Sequence, residues 1–404
     1  MLDTKQKNDI KFMIGIVLFM ILSVVVYFEK RLDIMNTTVY AFSYRHGLVA
    51  RGVLGTFLEI WDTYSPVDLM SYHTIYQISE AATLVYFIML LWLTGTILKH
   101  CQNHEIETKI LLGCLMIFAV PMFLTSDNFG RLDVYLMIIT IFCIILILEE
   151  KFEVLILPAV ALAALIHEGF VFMNLNIILV LLFYKALTQQ GKKEKVKYIA
   201  LLVLTFAIPS VFFLYFEFFS HHFGRDVYIE TIALAKKLSV DGKTYHKQVI
   251  MHEIMGIDIA GMEKKHHRWN REDTPIFLVL FLPYIILAVK FFYSYVKKCH
   301  TKVDKWLATA FLIAPLTLLP EIILKVDYGR YMFAICFYYI VMTLCYISMQ
   351  EKNMLETVNQ WKNILLQHKI WSVAGVCYLF VFVPFRGYRI CDLVTGIVSW
   401  LFGN

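Results

Sequence analysis

About eleven stretches of this chain run nearly without charge for long enough to cross, or almost cross, a lipid bilayer. They are roughly 11–28, 81–98, 109–125, 132–148, 154–168, 169–185, 198–218, 275–293, 306–324, 331–349 and 370–385. A hydrocarbon core of ~30 Å needs about 20 apolar residues in a helix. Lipid offers no partner to an unpaired backbone amide, so such segments must be helical. The expectation is an all-α, polytopic transmembrane helical bundle, with residues 1–404 forming a single integral membrane domain. Composition points the same way: 59% of residues are hydrophobic and 17% charged, against about 25% charged in soluble domains. That balance excludes a cytosolic enzyme, a disordered scaffold and a nucleic-acid module. The first stretch runs into Glu29-Lys30-Arg31 without a small-residue cleavage site, so it is expected to be a retained span, not a signal peptide.

Basic residues in short loops orient such a bundle. Lys5, Lys7 and Lys11 precede the first span. Lys192, Lys193, Lys195 and Lys197 separate the sixth from the seventh, and Lys297, Lys298, Lys302 and Lys305 separate the eighth from the ninth. An N-terminus in the cytoplasm puts all of them inside. The two long loops, 29–80 and 219–274, then lie outside. The segment Tyr40 to Trp61 mixes Leu, Val, Phe and Trp with Arg, His and Glu, the pattern of a helix lying in the membrane interface.

In this topology all ten arginines fall outside, whereas 19 of 27 lysines fall inside. Guanidinium grips phosphate through a planar fork, while ammonium acts as a point charge. The segregation therefore suggests an anionic, phosphate-bearing substrate at the outer leaflet. Three arginines share a local form, aromatic-Gly-Arg at the outer end of a helix: Asn128-Phe129-Gly130-Arg131, His222-Phe223-Gly224-Arg225 and Asp327-Tyr328-Gly329-Arg330. The aromatic residue is expected to anchor at the interface or to stack on a sugar. Pro121 and Pro320 each lie ten residues before their arginine, so two helical hairpins offset by 199 residues form a weak internal repeat. Arg45 and Arg51 add two more arginines beside glycines in the first long loop.

Acidic and imidazole groups at membrane depth are costly unless they serve a purpose. The span ending at His167-Glu168-Gly169 has only about 13 apolar residues, roughly 20 Å of helix, so this pair should sit below the outer surface in a cavity. Asp127, Asp133, Asp327 and Glu321 lie in comparable positions. His167, Glu168 and Asp127 are the candidates for proton transfer, and Arg45, Arg51, Arg131, Arg225, Asp327 and Arg330 for binding the substrate. The eight cysteines show no paired or zinc spacing, and no nucleotide or hydrolase motif stands in a plausible context. No metal and no cofactor are expected.

This combination of Arg131, His167 and Arg330-Tyr331 resembles bacterial surface-polysaccharide polymerases of the Wzy and EpsG-like type. The resemblance implies polymerisation of polyprenyl-pyrophosphate-linked oligosaccharides into O-antigen, capsule or exopolysaccharide, at the outer leaflet of the bacterial cytoplasmic (inner) membrane. It implies an inverting, metal-independent glycosyl transfer, with arginines on the pyrophosphate and His167 or Glu168 as base. The implied partners are lipid-linked donor and acceptor glycans, the bilayer and a chain-length regulator, with no nucleic acid. A GT-C glycosyltransferase using a polyprenyl-phosphate sugar is the nearest competitor. Its acids would be Glu29, Asp33, Asp127 and Asp133, although Lys30 and Arg31 interrupt the paired-acid pattern after the first span. A lipid-oligosaccharide flippase or transporter is the non-enzymatic alternative.

Overall fold

The computed structural model describes residues 4–28, 31–101, 105–125, 128–220, 223–256, 282–324 and 328–382. Within these residues every regular element is helical. Asp127, Asp327 and Glu29 lie outside the described residues, as do Arg268, Arg271, Arg386 and Arg389.

Among the described residues a helix forms within each expected apolar stretch. In chain order the longer ones are α1 (Thr4–Tyr27), α4 (Tyr72–His100), α5 (Glu105–Met122), α6 (Asp133–Glu149), α7 (Ile156–Ile166), α9 (Leu175–Thr188) and α10 (Lys192–Phe219). They continue with α13 (282–298), α14 (Lys302–Ile313), α16 (Tyr328–Ser348), α17 (Lys352–Gln367) and α18 (Lys369–Phe382). Short α8 (Phe170–Met173) and α15 (Leu319–Leu324) sit at breaks. Five units, Lys5–Tyr27, Tyr72–His100, Lys192–Phe219, Lys302–Ile322 and Arg330–Ser348, are long and apolar enough to cross a membrane. The other apolar stretches fold as shorter helices, several of which cannot cross alone.

The surface shows why these helices need lipid. α1 exposes Leu18, Leu22, Val25 and Val26, and α10 exposes Val203, Phe206, Val211 and Phe218. Apolar surface of that extent is unstable against water. Helix α6 is apolar on nearly all sides, and most of its residues between Val134 and Leu148 are buried, so it runs through the core of the bundle. Buried hydroxyls on these helices bond their own backbone: Thr83 Oγ1 donates to Ser79 O, Thr94 to Leu90 O and Thr140 to Leu136 O. A hydroxyl in an apolar setting is satisfied this way without a neighbour.

The described parts of the two long loops are folded and pack on each other at one end of the bundle. The first builds α2 (Ile34–Thr38), two 3-10 turns (Val39–Ala41 and Tyr44–His46) and α3 (Gly52–Tyr64). The second builds α11 (Arg225–Lys237) and α12 (Lys247–Met255). His246 N donates to Thr38 Oγ1, Lys237 pairs with Asp68, and Arg45 pairs with Glu230. At the opposite end Lys5 donates to Cys101 O, Gln350 to His100 O, and Lys362 pairs with Glu107. The described parts of both long loops therefore share one face, and the N-terminal helix begins at the other.

α3 has three sides. Gly52, Val53, Gly55 and Leu58 are buried, whereas Phe57, Ile60, Trp61 and Tyr64 are exposed. Gly55 lets it seat directly on the preceding turn, because a Cβ there would lie 2.0 Å from Phe42 O. An amphipathic helix with exposed Trp and Tyr suits a membrane interface.

Candidate functional site

Helix α7 has eleven residues, about 16 Å at 1.5 Å per residue. It stops at His167, whose extended backbone breaks the helix, and the chain turns through Glu168 and Gly169 into α8 and α9. The pair His167-Glu168 is thus delivered by a broken helix, buried, with its charge facing protein instead of lipid. Irregular backbone within a membrane is tolerated only where other protein groups cover it.

The cover is the start of α3. Arg51 stands at the N-cap of that helix with φ 63° and ψ 7°, the left-handed region. A bulky side chain is uncommon there and costs on the order of 1–3 kcal/mol. A cation at a helix N-terminus also opposes the helix dipole. Two acids offset both penalties. Arg51 Nη2 lies 2.5 Å from Glu168 Oε1, and Nε donates to Oε2 at 3.4 Å. Glu253 Oε1 from α12 lies 3.6 Å from the same Nη2. Three segments far apart in sequence, the first loop, the α7–α8 break and the second loop, meet at one guanidinium.

His167 continues the network. The Gly169 N–H donates to His167 Nδ1 at 3.0 Å, while Glu168 Oε2 lies 3.2 Å from the same nitrogen. One nitrogen cannot accept from Gly169 and donate to Glu168 at once. Nδ1 either accepts from Gly169 or, as the N–H, donates to Glu168, so two partners compete for one ring nitrogen.

A second ion pair adjoins the first. Arg330 Nη2 donates to Asp133 Oδ1 at 2.7 Å, joining α16 to the start of α6, and both side chains are nearly buried. Arg131 and His167 lie within electrostatic reach of Asp133, and Arg330 within reach of Arg51. A cavity of about 10 Å³ beside Asp133, Asn174 and Arg330 matches the room one water needs. The neighbouring Tyr331 hydroxyl donates to Glu321. The Arg330-Tyr331 dipeptide thus engages two acids.

Of the expected site residues, the structure brings together Arg51, Arg131, His167, Glu168 and Arg330. Arg45 stays on the exposed rim, bonded to Glu230 at 2.8 Å, and Arg225 is exposed at the start of α11. Asp133, named from the sequence only among the acids at membrane depth and of the GT-C pattern, and Glu253, not named at all, also belong to the cluster. Asp133 carried a signal in its spacing from Arg131, whereas Glu253 sits in a polar loop with nothing to mark it.

The aromatic-Gly-Arg units do not share one role. Phe129 is fully buried, edge-on to Phe28 at 5.1 Å and to Tyr76 at 5.4 Å. It is a packing residue, not an interface anchor or a sugar platform, because those rings and the Gly130 turn enclose it. Gly130 has φ +79°, and a Cβ there would meet Leu32 at 2.3 Å. Asn36 fastens the turn by donating to Phe129 O. Asp33, a candidate acid of the GT-C pattern, caps α2 by accepting from Met35 N. In the second loop, the hydrogen bond to Glu253 raises the affinity of His252 for its proton above the ordinary range. No group of three or more His, Cys, Asp or Glu is arranged to hold a metal among the described residues.

Compared with protein-family models, with curated proteins and with solved structures, the chain matches none significantly. The geometry of the site therefore carries the functional reading.

Proposed function

We propose that the protein transfers glycosyl units between polyprenyl-linked glycans at the outer leaflet of a bacterial cytoplasmic membrane, as a polysaccharide polymerase with about eleven crossings. The observation that carries this reading is the convergence of Arg51, Arg131 and Arg330 with His167 and Glu168 beneath two packed loops. In the proposed step an acceptor hydroxyl oxygen attacks the anomeric carbon of the donor. The bond from that carbon to the pyrophosphate oxygen breaks, and the lipid pyrophosphate leaves with the electron pair. Glu168 or His167 takes the hydroxyl proton. The arginines stabilise the charge that develops on the leaving group, the kind of interaction that contributes most when donors are fixed in advance.

The arginines are charge-balanced by Glu168, Glu253 and Asp133. An incoming pyrophosphate would compete with those acids for the guanidinium groups. That exchange would release Glu168 to act on the acceptor, which couples donor binding to base activation. The test is an assay of the purified protein in lipid nanodiscs with a synthetic polyprenyl-pyrophosphate oligosaccharide. Expected is lengthening of the glycan with release of polyprenyl pyrophosphate, lost in Arg51→Ala. Net movement of intact lipid-linked glycan between leaflets, with no new glycosidic bond, would make the protein a flippase.

A further inference from the structure

We infer that the groove between the first long loop and α11 is a binding site for an uncharged oligosaccharide. In the proposed reaction that sugar would be the glycan of the acceptor or of the growing product. The groove encloses about 650 Å³, within the range of pockets that hold drug-sized ligands.

Its two walls follow from helical spacing. α3 contributes Glu59, Asp62 and Thr63, while α11 contributes Val227, Glu230, Thr231 and Leu234. Residues three and four apart share a helix face, so each wall is one continuous stripe. The floor is apolar and includes Phe42, Val49, Phe223 and Ile254. Phe223 is only partly buried, in contrast to Phe129 of the first aromatic-Gly-Arg unit. An apolar floor under a rim of carboxylates and hydroxyls fits a pyranose, which has a C–H face and a ring of hydroxyls.

Charge selects among occupants. Arg45 and His46 both contact Glu230, and Lys237 is held by Asp68. Glu59 and Asp62 have no such basic partner among the described residues, and the Asp62 carboxylate accepts from Leu69 N. The groove is therefore acidic on balance, whereas the neighbouring cluster carries the arginines. A pyrophosphate or a uronic acid is repelled from the groove, and sugar hydroxyls, as donors, are accepted. The two sites are joined through the chain: Val49 of the floor lies two residues before Arg51, and Ile254 follows Glu253. A glycan in the groove thus runs toward the guanidinium that holds Glu168.

The acceptor role rests on the proposed glycosyl transfer, but the binding does not, and the experiment separates them. Saturation-transfer NMR is run on the full chain in nanodiscs with a panel of uncharged tri- and tetrasaccharides. Uronic-acid oligosaccharides of equal length and a basic peptide serve as comparators. Expected is saturation of ring C–H protons in at least one uncharged saccharide, weakened tenfold or more in Glu59→Lys and in Asp62→Lys. Size-exclusion profiles of both variants check the fold, and Thr63→Trp gives a second, neutral way to obstruct the groove. Arg51→Ala should abolish transfer and retain this saturation. If no uncharged saccharide binds, if all three groove variants bind it like the parent, or if only the peptide binds, the inference fails, whatever the transfer assay shows. Saccharide binding lost in the groove variants of a protein that forms no glycosidic bond would uphold the site and remove the transferase reading.

Discussion

Arg51 holds a left-handed backbone and grips both carboxylate oxygens of Glu168, a residue 117 positions later. Neither half of this relationship is stable alone. The strained arginine opposes the dipole of the helix it begins, and the carboxylate is buried at the tip of a broken helix. Burying an ion pair seldom stabilises more than apolar side chains of the same shape. Such a pair with a strained backbone points to function more than to stability.

That distinction is testable. Arg51→Met alone leaves Glu168 and Glu253 buried without their cation and should cost about 3–5 kcal/mol. Adding Glu168→Leu and Glu253→Gln removes the stranded charges and should recover most of the loss. Thermal unfolding in detergent measures both. Glycan transfer should be absent in the single and in the triple variant. A triple variant that is stable and still active would make the network structural only.

Gly55→Ala tests the seating of α3. The added methyl would overlap the Phe42 carbonyl, a backbone group that cannot rotate away. Overpacking of this kind costs about 1–3 kcal/mol and sometimes more. Because Arg51 begins the same helix, displacement of α3 should also lower transfer. Gly95→Ala, where a Cβ meets nothing within 4 Å, is the control. Equal melting temperatures for the two variants would show that α3 does not depend on this contact.

Much of this architecture could be read from the chain. Runs of apolar residues placed the helices, since a backbone in lipid has few alternatives. The short stretch ending at His167 signalled that His167 and Glu168 sit below the surface. The aromatic-Gly-Arg units pointed at Arg131 and Arg330, which do converge near Asp133. What sequence could not supply was pairing. Arg45 and Arg51 look alike, each near a glycine in one loop, yet one is exposed and one is buried. The difference is that Arg45 lies within a 3-10 turn on the rim, whereas Arg51 caps α3 and faces Glu168 at the end of α7. Glu253 was equally hidden, because a carboxylate in a polar loop carries no mark until the loop folds back. Phe129 and Phe223 share a motif and differ in role because only Phe129 is enclosed by other rings.

Substituting lysine separates a fork from a point charge. Arg330→Lys and Arg131→Lys should each lower transfer nearly as far as the alanine variants, by tenfold or more, because lysine cannot make the bidentate grip. Donor titrations that report KM and kcat apart should show the loss in kcat if the arginines act on the developing charge. Near-normal polymer from both lysine variants would remove the bidentate reading.

The second loop should respond to pH through His252. Its pKa is raised in the folded protein, chiefly by Glu253. A raised value stabilises the fold below the unfolded pKa of ~6.5, and that contribution is lost as pH climbs through the folded value. Arg51 and Glu168 are the other charges that act on this ring. The side chain is 48% exposed, so solvent screening keeps the effect below about 1 kcal/mol. Amide exchange in α12, corrected for its intrinsic pH dependence, should accelerate above neutrality and flatten in His252→Gln. An unchanged profile in that variant would assign the pH response to another group.

The chemistry itself turns on His167 and Glu168. Gly169 N–H and Glu168 compete for one imidazole nitrogen, so a change at Glu168 alters which of the two that nitrogen engages. A general base must reach the proton it removes, and Glu168 can reach an acceptor hydroxyl only when Arg51 lets it go. Glu168→Gln keeps the shape, removes the charge and should abolish turnover while leaving donor binding intact or tighter, since Arg51 is then contested by Glu253 alone. His167→Ala should also abolish turnover. His167→Asn, which can still accept from Gly169, should preserve the fold and show whether the ring contributes more than its hydrogen bond. Activity in the parent protein should survive EDTA, because arginine can supply the charge that a metal would otherwise provide. Donor affinity measured by fluorescence polarisation beside single-turnover rates distinguishes these roles. Loss of donor binding in Glu168→Gln, or strict dependence on Mg²⁺ or Mn²⁺ with His167 dispensable, would move the reaction to the metal-dependent GT-C scheme.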